Sequence, residues 1–73
     1  MHKFEIYFTT PLYPDSEDAE GWVSEGVDGD DAFKNLYEYF KTLHRGVARM
    51  TFYRTQISKT KRHNNIPKFT QIQ

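Results

Sequence analysis

Cysteine is missing from all 73 residues, which excludes a disulfide framework and a thiolate metal centre and makes a reducing, intracellular home the simplest expectation. Long apolar runs are missing too. No window approaches the ~18 consecutive apolar residues of a membrane span, and the opening MHKFEIYFTT lacks the charged, apolar and small-residue regions of a secretory leader. A soluble cytoplasmic protein without a membrane partner is expected. Glycine and proline are scarce, at four and three residues, and they form neither a glycine-rich phosphate loop nor a nucleophile elbow. With no cysteine nucleophile either, the chain is expected not to be an enzyme and to need no cofactor.

The last absence is one of charge: no acid follows Glu38. Up to that residue the chain holds all ten acids against Lys3 and Lys34, a balance of −8, and beyond it stand eight bases, a balance of +8. A formal charge of zero therefore hides two opposite poles. Such a molecule is oriented by a strong field, with one end suited to a protein and the other to nucleic acid.

What is present suggests a small α+β domain. A chain this short buries only about 60% of its unfolded surface, enough for one sheet and one helix. Lys3 to Thr9 alternates, with Phe4, Ile6 and Phe8 on one face, which predicts a half-buried strand ended by Pro11 and Pro14. PLYPDSEDAEG reads as an exposed acidic loop, either a hydrated edge guard or a phosphate mimic. Trp22 to Val27 is a weaker strand, able to form a hairpin with the first. A helix follows from about Asp31 to His44, with an apolar stripe of Phe33, Leu36, Tyr37, Phe40 and Leu43, Asp30 or Asp31 as the cap, and Gly46 as the stop. Val47 to Ile57 alternates again as a third strand. The resulting β-β-α-β domain over 1–58 puts one helix on one face of an antiparallel sheet. The other face is expected to be uncovered and to show Tyr7, Arg49, Thr51 and Tyr53. Residues 59–73 read as a basic, mobile tail, with Ile66 to Ile72 able to add an edge strand.

Two groups of side chains carry the chemistry. Lys59, Lys61, Arg62 and Lys68 are candidate phosphate contacts, since mobile cations release counterions when they meet a backbone. Tyr7, Arg49, Tyr53 and Arg54 are candidate protein contacts, because aromatics and arginines dominate interface energetics. Tyr7 and Tyr53 also suit base stacking, and for Tyr7 plain cross-strand pairing is an equal reading. His2, His44 and His63 are too dispersed for metal-ligand spacing. Asp28, Asp30 and Asp31 resemble the start of a calcium loop, but Tyr39 stands where its bidentate acid belongs, so helix capping is the expected role.

Taken whole, the HKFEIYFTT…DDAFKNLYEYFKTLHRGVARMTFYR core with its KTKRHNN tail resembles the very small regulators of host RNA polymerase encoded by lytic phages, including those of Xanthomonas. The resemblance implies a monomer in the host cytoplasm that binds bacterial RNA polymerase near the RNA exit channel. It implies interference with the sigma factor at initiation and antitermination during elongation, with nascent RNA beside the basic tail. GWVSEGVDGDDAFKNL also looks like the strand-to-helix passage of small antitoxin domains, which leaves a free-standing RNA-binding or antitoxin-like module as the alternative. An inhibitor using the acidic loop as a phosphate mimic is a third reading.

Overall fold

The structure, a computed structural model, describes residues 1–9, 20–43 and 52–73. Its elements are β1 (His2–Thr9), β2 (Glu20–Gly26), α1 (Gly29–Leu43), β3 (Tyr53–Lys59) and β4 (Thr70–Gln71). The strands form one antiparallel sheet in the order β3-β1-β2-β4, and the domain is α+β. Among the described residues, no helix is long and apolar enough to cross a membrane. The acidic loop expected at 11–21 lies mostly outside the described residues, as do Arg49, Gly46 and the expected strand residues 47–51.

Alternation in β1 sends Phe4, Ile6 and Phe8 to the helix side, where all three are buried with Ala32, Leu36 and Phe40. The buried helix row thus runs 32, 36 and 40, the i, i+4 spacing of one face. Phe33 and Tyr37 form one shoulder against Phe52, while Tyr39 forms the other against Trp22 and Phe69. Leu43, expected in the stripe, is exposed because the core ends at Phe40. The ring of Phe52 stacks on Phe8 at 4.1 Å, and Phe40 meets Phe8 edge-on at 5.6 Å.

The helix begins at Gly29, two residues before the expected start, because Asp28 is its cap. Asp31 N–H donates to Asp28 Oδ1 at 2.8 Å, and Ala32 N–H to the Asp28 carbonyl at 3.0 Å. Asp31 reaches back to accept the Val27 N–H at 2.9 Å. Each carboxylate thus satisfies one main-chain donor at the helix entry. Beside this turn, buried Ser24 donates its hydroxyl to the Ala32 carbonyl at 2.8 Å, tying β2 to α1.

The sheet face opposite the helix is not open, contrary to the sequence expectation. Glu5 and Val23 are register partners on that face, and both are buried. The chain must pass from β3 at one edge to β4 at the other, and Arg62 and His63 lie against Glu5 on the way. Residues 60–69 therefore cross this second face. The crossing is anchored at Thr60, whose N–H donates to the Lys3 carbonyl, and at Phe69, whose N–H donates to the Val23 carbonyl at 2.6 Å. The edge strand expected within Ile66 to Ile72 is present as the two residues of β4.

Candidate functional site

An extra residue in β3 determines which side chains share its outer edge. Gln56 faces Tyr7 and Tyr53 faces Thr9, so three steps along β3 match two along β1. The irregularity is a bulge, and Arg54 within it has a φ of 54°. Strict alternation from Ile57, which faces Ile6, would send Tyr53 to the helix side. The bulge turns it to the face of Tyr7 instead and lets Phe52 enter the core.

All seven residues of β3 are exposed, including Tyr53 at 52% and Ile57 at 36%. The strand pairs with β1 alone among the described elements, so among them its far side is an open edge. Thr60 N–H donates inward to Lys3 at 3.1 Å. In the antiparallel alternation, Ser58 and Gln56 then also bond inward, while the main-chain N–H and C=O groups of Ile57 and Lys59 point outward. Arg54 and Lys59 lie on this strand and Lys61 just beyond it, all exposed and without an ion-pair partner among the described residues.

The remaining basic residues of the segment are engaged by acids. Arg62 lies 3.4 Å from Glu5 Oε1, and Lys68 lies 4.0 Å from Glu25 Oε1, which Glu25 Oε2 complements by holding Lys3 at 3.2 Å. Lys68 also sits over the Phe69 ring at 5.5 Å. The four candidate phosphate contacts therefore separate into a couple with no ion-pair partner among the described residues, Lys59 and Lys61, and a paired couple, Arg62 and Lys68. The candidate protein contacts separate as well: Tyr53 and Arg54 are on the open edge, whereas half-buried Tyr7 donates its hydroxyl to Glu5 at 2.8 Å.

Glu5, Thr60 and His63 form a polar cluster that the reading of the sequence did not single out. Burial pushes the Glu5 carboxyl pKa up, but hydrogen bonds from Thr60 and Tyr7 and the Arg62 charge outweigh burial and hold it below its ordinary value. The Tyr7 phenol is pushed above its ordinary value, chiefly by donating to Glu5 and then by burial. Buried His63 Nδ1 lies 3.4 Å from Glu5 Oε1 without hydrogen-bond geometry. The available signal was position: an acid between Phe4 and Ile6 on a central strand needs partners if that face is covered. This cluster fastens the crossing segment to the sheet.

An open groove of about 470 Å³ lies between α1 and the end of the crossing segment, lined by Glu25, Asn35, Glu38, Tyr39, Lys68 and Phe69 among others. Of the two carboxylates that line it, Glu25 is already held by Lys3 and Lys68, and Glu38 lies 3.9 Å from Lys41. The outer edge of β3 is therefore the better candidate for contact with another molecule. Comparison with known proteins gives no matching family, no matching curated sequence and no matching solved structure.

Proposed function

We propose that the protein is a non-enzymatic binding module that docks on a larger protein through the outer edge of β3. The observation that carries this reading is a whole strand with exposed side chains, open on one side and bearing Tyr53, Arg54 and Lys59 with no acid. An aromatic beside an arginine is the composition of an interface anchor. The resemblance to small phage regulators supplies the partner, bacterial RNA polymerase, and the consequence, inhibited initiation and antitermination near the RNA exit channel. In that setting Lys59 and Lys61 lie beside the docking strand, available to nascent RNA.

The test is capture of purified bacterial RNA polymerase by the immobilised protein, before and after nuclease treatment. Retention that survives nuclease and is lost in the Tyr53→Ala/Arg54→Glu variant is the expected result. Recovery of short RNA with no polymerase bound would instead support a free-standing RNA-binding module. That second reading is favoured by the unpaired state of Lys59 and Lys61, and it predicts binding that weakens steeply with salt.

A further inference from the structure

We infer that the open edge of β3 accepts an extended acidic segment of its protein partner as an added antiparallel strand. This rests on the reading of the protein as a protein-binding module and specifies how the same edge binds. Main-chain groups of Ile57 and Lys59 point away from β1, offering alternating donors and acceptors at the spacing of a β-ladder. A peptide main chain completes such a ladder. An RNA backbone offers phosphate acceptors and 2′-hydroxyl donors, but not in the regular alternation of a β-ladder, which favours protein over RNA at this edge.

Side chains define the partner's pattern. Ile57 and Lys59 share the helix-side face, opposite Ile6 and Phe4. The start of α1 lies above Ile57, where a Cβ on Gly29 would stand 3.1 Å from Ile57 Cγ2. An incoming antiparallel strand therefore places an apolar residue against Ile57 and, two residues earlier, an acid against Lys59. Gln56 and Ser58 face polar residues on the other side.

The same charges disfavour a second copy of this chain. Antiparallel self-pairing centred on Ile57 sets Lys59 across from Thr55 of the other copy and next to its Arg54, so like charges gather along the new ladder. An acidic strand meets attraction where a second copy meets repulsion, which gives the edge its selectivity.

The probe is the peptide acetyl-Thr-Glu-Thr-Val-Thr-Glu-Thr-amide, titrated into the intact protein while amide hydrogen exchange is followed residue by residue. The Ile57 and Lys59 amides should exchange quickly in the free protein and slow on peptide addition, while those of Gln56 and Ser58 stay protected throughout. A peptide with Lys in place of Glu should not bind, and Lys59→Glu should weaken the original by roughly two- to tenfold, the scale of an exposed ion pair. N-methylating alternate peptide amides removes the ladder without changing charge, and should abolish binding. No binding of the acidic peptide, no added protection at Ile57 and Lys59, equal binding of the N-methylated peptide, or an oligouridylate that protects these amides equally well would each overturn strand addition. Polymerase capture that still depends on Tyr53 and Arg54 would then show that the module binds by side chains alone. Capture that ignores them would remove the broader reading too.

Discussion

Tyr7 donates its phenol to Glu5 two residues earlier on the same strand, across 2.8 Å. Because i and i+2 share a face, this bond lies on the side of the sheet opposite the helix, where the crossing segment seals it. One carboxylate thereby joins the middle of the sheet to Thr60 and Arg62, far along the chain.

Stability should fall at both pH extremes through this pair. The folded-state pKa of Glu5 is lowered, so its contribution is complete above the ordinary glutamate range and is lost as pH falls through the folded value. The folded-state pKa of Tyr7 is raised, so its contribution holds below the ordinary tyrosine range and is lost as pH rises through the folded value. Urea midpoints measured across pH should show both losses. Glu5→Gln should flatten the acid limb and Tyr7→Phe the alkaline one, and an unchanged acid limb in Glu5→Gln would refute the assignment.

Phe8→Ala should be close to unfolding the domain. Phe8 is fully buried, stacks on Phe52 and meets Phe40 edge-on. Truncating such a ring costs about 3–5 kcal/mol, against a total of about 5–15 kcal/mol for a typical domain. Chemical denaturation followed by circular dichroism measures the loss.

Gly26→Ala should destabilise despite its small size. An added Cβ would lie 2.6 Å from the Ala32 nitrogen and 2.9 Å from the Asp31 carbonyl carbon, both main-chain atoms of the first helical turn. Since backbone there cannot swing aside, a cost of about 1–3 kcal/mol is expected. Thermal unfolding compared with Gly29→Ala, whose new Cβ has side-chain atoms as its nearest neighbours, Ile57 Cγ2 at 3.1 Å and Phe4 Cε1 at 3.9 Å, separates backbone from side-chain crowding.

Removing residues 60–73 should destabilise the sheet as well as subtract charge. The truncation uncovers Val23 and leaves Glu5 without Thr60, Arg62 and His63. A lower denaturation midpoint is expected, together with faster amide exchange in β2. A truncated chain as stable as the full one would show that the crossing segment contributes nothing to the fold.

The helix and β1 were legible because their signals are local. Phe4, Ile6 and Phe8 alternate over a few residues, and a run of aspartates opens the helix, although its cap is Asp28 and not the expected Asp30 or Asp31. The bulge was not legible, because it depends on Arg54, a residue type with no preference for positive φ, adopting 54° so that Phe52 can reach Phe8. Nor was the covered face. Its contacts join Glu5 to Arg62 across 57 positions, and a basic stretch reads equally well as solvated until its acids are located in space. The same distance hid the division of the candidate site, since Lys59 and Lys61 differ from Arg62 and Lys68 only in which acids lie nearby.

The central place of β1 also sets a timetable for folding. Its first neighbour, β2, arrives early in the chain, but its second, β3, lies far downstream: Thr9 Oγ1 donates to the Tyr53 carbonyl across 44 positions. A ribosome must therefore release the helix before the middle strand can gain its second flank. Until then the hydrophobic row of β1 stands half-paired, an exposed interval in which chaperones or like chains compete for it.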